Sequence, residues 1–279
     1  MPELPELQAH AERLSAELGG RTLNGFRPMT FTALKTVLPA PDDLVGRPLD
    51  VVERTGKYLM LRFGDDRFVV HLMQGGRLTP DEKQSAKPRG GLARWTFDDG
   101  SALLLTEMAK EKRAGVWVVA GDPTDQAPLA GLGPDALGLG RDELAAALTG
   151  YKSMRVHGFL RDQRAIAGIG RRLSSEICWR AKLSPFAATH KLTDDEVDRL
   201  HAALGSAIDE ALAFERGLGA MSSSAERPGS VYKRAGEECV VCGDTIRAVE
   251  YNAYTVNYCA TCQTGGNVLA DNTTSKFLK

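Results

Sequence analysis

No run of about 18 consecutive apolar residues occurs in the 279-residue chain, which excludes a membrane-spanning helix of ordinary length. The first residues lack the basic stretch followed by an apolar one that marks a secretory signal, so a cytoplasmic location is expected. Charge of one sign is not in excess either: 35 Lys and Arg stand against 36 Asp and Glu, a net charge of -1. Any surface for nucleic acid must therefore be a local concentration of basic residues, with the acids segregated elsewhere. Cysteine is scarce. Five in such a chain exclude a disulfide framework, and the absence of an internal repeat excludes a solenoid. The length allows two domains with a core that needs no covalent staples.

What is present falls into three regions. Residues 5–18 place Leu7, Ala11, Leu14 and Leu18 on one face, the pattern of an amphipathic helix. From about 46 to 120 the pattern becomes strands, "LDVVERTG", "KYLMLRFG", "RFVVHLM", "LARWTFDDG", "ALLLTEM" and "AGVWVVAG", punctuated by turn signals such as "FGDD" and "FDDG". An antiparallel sandwich or barrel with the helix packed on it is expected. "LAGLGPDALGLG" at 129–140 reads as a hinge, and the pattern beyond it is helical. There "TDDE" at 193–196 is a capping box, followed by Val197, Leu200, Leu204, Ile208 and Leu212 at helical spacing. Residues 218–237, rich in Gly, Ser and Ala, are expected to form a mobile loop.

The chain ends in a cysteine constellation. Cys239-x-x-Cys242, sixteen residues, then Cys259-x-x-Cys262 is the spacing of a four-thiolate zinc site, with a β-hairpin between the pairs. Four protein thiolates leave no position for water, so one zinc ion with a structural role is expected. Free thiols or a redox pair are the alternative. Cys178 lies on an apolar helical pattern and reads as core.

The opening "MPELPELQAH" admits two readings. Pro2 and Glu3 can simply begin a helix, with proline at its first position and acids near the positive dipole end. Alternatively, removal of Met1 would leave Pro2 as a secondary amine. An α-amino group has a pKa near 8 against about 10.4 for lysine, so a useful fraction is neutral and nucleophilic at pH 7.

The opening "PELPE", "TGKYLMLRF", "LGPDAL", "LRDQRAIAGIG" and "CATCQTGG", in that order, resemble the formamidopyrimidine-DNA glycosylase / endonuclease VIII family over essentially the whole chain. The fold so implied is α+β. An N-terminal helix and β-sandwich would span 1–130, a helical domain with a helix–two-turn–helix element 131–222, and a loop with the zinc finger 223–279. The resemblance implies base excision from DNA. The Pro2 amine would attack C1′ of a flipped-out nucleotide, and the resulting iminium would permit β-elimination. Glu3 would carry protons, Glu6 would orient the site, and Lys57 would meet the phosphate next to the lesion. Glu176 matches an acidic residue after the glycine turn, with an exposed helix charge as the alternative, and His71 reads as a core or hairpin residue. A monomer acting on duplex or single-stranded DNA is expected.

Several positions depart from the family pattern. Gly168-Ile169-Gly170 is followed by Arg171 instead of Asn. The family's Lys before Leu-Leu-Asp-Gln falls on His157, and the hairpin-tip Arg falls on Tyr254. Gln74 replaces a void-filling Met, and Lys112-Arg113-Ala114-Gly115 lacks the aromatic wedge. Gln74, Lys112, Arg113, His157, Gly168, Gly170, Arg171 and Tyr254 are the expected DNA contacts, on an altered phosphate grip. A non-catalytic or weakly catalytic binder of damaged, abasic or single-stranded DNA is the alternative function.

Overall fold

The computed structural model describes residues 1–222, 226–251 and 254–269. They form two compact units, Met1–Gly131 with Gly219–Met221, and Leu132–Leu218 with Ser222–Lys279. No helix among the described residues is long and apolar enough to cross a membrane.

The first unit is a sandwich of two four-stranded antiparallel sheets with one helix, α1 (Leu4–Leu18). One sheet has the order β1-β6-β7-β5, from strands Leu23–Pro28, Gly91–Phe97, Ala102–Glu107 and Gly76–Pro80. The other runs β2-β3-β4-β8, from Val51–Thr55, Tyr58–Phe63, Asp66–His71 and Gly115–Val119. The six expected strands are all present. β1 and β5 carry a glycine and a proline each, which hid them from an alternation pattern. Gly64 at φ +68 makes the two-residue turn that pairs Phe63 with Asp66, so "FGDD" is the hairpin it signalled.

Inward faces from both sheets meet α1. Phe26, Phe68 and Trp95 pack in tilted and edge-to-face contacts at centroid distances of 5.0–5.6 Å, and Leu7, Ala11, Leu14 and Leu18 close over the same core. Each fully buried leucine contributes about 1.5–3 kcal/mol by leaving water.

The second unit holds α2 (Arg141–Gly150), α3 (Val156–Arg161), α4 (Arg171–Arg180), α5 (Asp194–Arg216), the hairpin β9–β10 (Ile246–Tyr251, Tyr254–Cys259) and α6 (Ala260–Thr264). At the start of α5 the Glu196 N–H donates to the Thr193 hydroxyl, and the Thr193 N–H donates back to the Glu196 carboxylate. The capping box is therefore formed, and the five apolar positions beyond it are buried.

Between α3 and α4 the chain makes two turns stitched by Gln163. Its amide donates to the Arg161 and Ile169 carbonyls and accepts the Gly168 N–H. Gly168, at φ +103, occupies backbone space that favours glycine, and Gly170 precedes the first turn of α4.

The expected mobile loop is anchored where it is described. Residues 223–225 lie outside the described residues, but Arg227 and Val231 are buried. Glycine and serine in 218–237 signal absence of regular structure, and here that means irregular backbone held by specific acceptors.

Candidate active site

The N-terminus of the first unit brings four of the expected groups together. Pro2, Glu3 and Leu4 are buried, Glu6 has no exposed surface, and Glu3 is 4 % exposed. The Glu3 N–H donates to the Glu6 carboxylate at 2.8 Å, so Glu6 both caps α1 and places negative charge under the chain start. The Met1 amine is held below the ordinary α-amino pKa of 8.0, first by burial. Glu3 and Glu6 oppose that shift, while Arg77 and Lys57 reinforce it. An amine whose neutral form is favoured by burial, flanked by two acids and two cations, is suited to nucleophilic attack followed by proton transfer.

Lys57 is 9 % exposed and lies in the turn between β2 and β3, where Thr55 pairs with Tyr58. It is neither the first residue of a strand nor a solvated one. Its charge also helps to hold His71, after burial, down at about 4. His71 takes the Met73 N–H on Nδ1 and packs at 4.7 Å against Tyr58, as a satisfied hairpin residue. Arg77 gave no sequence signal because its strand, β5, gave none.

Two loops of the same unit carry the expected void-fillers. Gln74 is exposed on the tight turn after β4, where Met73 adopts φ +52 and the Gly76 N–H returns to the Leu72 carbonyl. A Cβ on Gly76 would lie 2.2 Å from that carbonyl oxygen, so only glycine closes this turn. Lys112 and Arg113 are exposed beyond β7. Buried Glu107 fixes the end of their loop by accepting the N–H groups of Arg113 and Ala114 at 2.6 and 2.8 Å. Ala114 is buried in the sandwich core and turned into the protein.

In the second unit the expected phosphate contacts fare differently. Arg171, first residue of α4, and Tyr254, first residue of β10, are partly exposed. Gly168 and Gly170 are buried and shape the turn. His157 corrects the expectation drawn from its position. It is 2 % exposed, and burial, with a contribution from Arg161, pushes its pKa down to about 3. A neutral imidazole 3.4 Å from the Ser175 hydroxyl is a packing group, with no charge to offer a phosphate.

Glu176 is not the exposed helix charge of its alternative reading. It is buried, and its carboxylate accepts the N–H groups of Ser230, Val231 and Tyr232 at 2.9–3.0 Å. A Cβ on Gly229 would sit 2.9 Å from both this carboxylate and the Arg172 guanidinium, so glycine permits the backbone to approach. Arg172 donates to the Arg227 carbonyl, and the Arg227 guanidinium lies 3.5 Å from Glu215, which also accepts the Ser222 hydroxyl. This buried charge network ties the loop to α4 and α5.

The four cysteines converge with all sulfurs within 4.8 Å of one another. Cys239 and Cys262 are 3.9 Å apart, Cys242 and Cys259 3.4 Å, Cys242 and Cys262 3.5 Å. A tetrahedral ion with metal–sulfur bonds of about 2.3 Å requires edges near 3.8 Å, so the donor set fits one ion. Burial pushes the Cys259 thiol up to about 11, and a cation is what would let four thiolates coexist there. The Trp179 indole N–H has no nitrogen or oxygen partner and faces the Cys239 sulfur. Cys178 is core, as expected, its thiol raised to about 12 by burial.

Comparison with known proteins identifies the family. Residues 1–113 match the formamidopyrimidine-DNA glycosylase N-terminal domain, and residues 131–223 match the H2TH domain of the same family. A formamidopyrimidine-DNA glycosylase of Symbiobacterium thermophilum is 30 % identical over 94 % of this chain and 89 % of its own length. An uncharacterised formamidopyrimidine-DNA glycosylase-like protein of Mycobacterium tuberculosis is 42 % identical across its full length, matching 58 % of this chain. The Lactococcus lactis formamidopyrimidine-DNA glycosylase, solved with DNA containing an abasic site, superposes with a TM-score of 0.80 at 20 % identity, covering 94 % of this chain and 99 % of that one. With both family domains in order and relatives matched end to end, the chain belongs to the formamidopyrimidine-DNA glycosylase family.

Proposed function

We propose that the protein is a DNA glycosylase of base excision repair with abasic-site lyase activity, using Pro2 as its nucleophile after Met1 is removed. The observation that carries this reading is the chain start, where a desolvated amine meets Glu3, Glu6, Lys57 and Arg77. Pro2 lies one residue further into the same buried surroundings.

The neutral Pro2 nitrogen bonds to C1′ of the damaged nucleotide, the base departs with the electrons of the glycosidic bond, and the proton that the nitrogen gives up passes to Glu3. Glu3 protonates the sugar ring oxygen as the ring opens, leaving an iminium between Pro2 and C1′. The iminium acidifies C2′; loss of that proton drives cleavage of the C3′–oxygen bond and expels the 3′ phosphate. Glu6 holds the start of α1 in place and offsets the iminium charge, and Lys57 balances the phosphate beside the lesion. Gln74 and Lys112 enter the space vacated by the flipped nucleotide. Zinc is the ion proposed for the four thiolates, holding the hairpin in shape with no part in the reaction.

Borohydride should reduce the iminium and link the protein covalently to abasic-site DNA, with the adduct strongly weakened or lost in Pro2→Gly. No adduct on any abasic or lesion-bearing DNA, with Met1 shown by mass spectrometry to be removed, would leave the non-catalytic binder as the function.

A further inference from the structure

Two guanidinium groups converge on one ring in the second unit. Cζ of Arg161, the last residue of α3, lies 4.1 Å from the centroid of the Tyr254 ring, and Cζ of Arg171 lies 5.8 Å from it. Tyr251 stacks on Tyr254 at 4.8 Å with the planes 12° apart. The His157 ring, 6.3 Å away and 13° from parallel, stacks on it as well. Tyr254 is thus engaged by two rings and two guanidinium groups of the protein itself.

Neither guanidinium lies within ion-pair distance of a carboxylate among the described residues. Arg141, Arg164, Arg180, Arg199 and Arg234 of the same unit, by contrast, each pair with an acid. Arg161 and Arg171 are both partly exposed, at the two ends of the turn that Gln163 stitches. Arg171 also lines a cleft of about 390 Å³ with Lys233, Asn257 and Glu250. Unneutralised planar cations fixed on an aromatic platform suit a phosphodiester, which each fork can meet with two donors.

The sequence points the same way. Where the family has Leu-Leu-Asp-Gln this chain has Leu160-Arg161-Asp162-Gln163, and where the family has an arginine at the hairpin tip it has Tyr254. We propose that the positive charge of the tip has moved onto α3. Arg161, with Arg171, grips the DNA backbone, and Tyr254 is a positioning residue that holds Arg161 in place without touching DNA. This rests on the proposal that the protein acts on DNA.

The test is equilibrium binding of the full-length protein to duplex DNA carrying an abasic-site analogue, across a salt series. Arg161→Gln should weaken binding about tenfold at fixed salt and lower the slope of log K against log salt by about 0.9, one phosphate contact. Arg161→Lys should keep that slope, which separates lost charge from lost fold. Tyr254→Leu should weaken binding in the unmodified chain and add nothing in the Arg161→Gln background. Unchanged affinity and slope in Arg161→Gln, or additive losses in the double variant, would overturn the proposal. Borohydride trapping reads the parent proposal separately. A chain that traps DNA while its salt slope ignores Arg161 removes this inference alone; one that neither traps nor binds removes both.

Discussion

Glu176 illustrates how one side chain can be mistaken when only its position is known. A glutamate after the glycine turn reads as the family's acidic residue, with no role attached, or as a solvated helix charge, and in the fold it is an internal acceptor for three consecutive backbone N–H groups. Removing it would strand those donors beside the Arg172 guanidinium, and each unsatisfied buried donor costs about 1–3 kcal/mol. Glu176→Ala is expected to destabilise the second unit by roughly 3 kcal/mol, after relaxation lets water reach part of the loop. Urea unfolding measures this, and limited proteolysis should show faster cleavage within 218–237. A loop cut no faster than in the unmodified chain would contradict the anchoring role. His157 teaches the converse lesson. A residue standing where the family has a cation is buried and neutral, so the missing charge has to be sought on its neighbours.

At the scale of elements, the cysteine hairpin depends on its ion as much as on its strands. Cys239, Cys259, Ile246 and Val231 form a small apolar cluster against Trp179, too small to order the hairpin unaided. Chelation is expected to release the ion, loosen β9–β10 and lower the thermal midpoint of the second unit. Trp179 is a built-in reporter, because its indole N–H faces the Cys239 sulfur. Its emission should change on chelation and recover on adding zinc, and Trp179→Phe should abolish the change. One zinc per chain by elemental analysis is the matching stoichiometry. Strand β5 shows the cost of reading elements by alternation alone. Its glycine and proline conceal a strand that delivers Arg77 beside the chain start.

For the whole molecule, three histidines set the response to acid, two of them buried and His71 half-buried. His10 donates from Nε2 to the Leu78 carbonyl at 2.6 Å, and burial holds its pKa down at about 4. His71 lies at about 4 and His157 at about 3, both chiefly through burial. Each folded-state pKa is below the unfolded value near 6.5, so the unfolded chain binds the extra proton first. Stability from these groups is complete above pH 6.5 and is lost as pH falls from there towards 4. His10 alone should cost about 2 kcal/mol at pH 5 relative to pH 7.5. Urea midpoints at the two pH values test this, with His10→Gln, which retains a donor for Leu78, flattening the dependence. An equal drop in His10→Gln would show that other groups carry it.

What the sequence determined on its own was whatever rests on spacing along the chain. The period of α1 and α5, the capping box at Thr193, the six alternating strands and the paired cysteines are all local patterns, and local patterns survive folding. The tertiary structure alone decided which charged groups meet water. Lys57, Glu176 and His157 are withdrawn from it, while Arg161 and Arg171 are left without acids around the Tyr254 ring. Burial and pairing come from segments distant in sequence, and they fix a side chain's charge through desolvation and neighbouring ions, quantities that no spacing encodes.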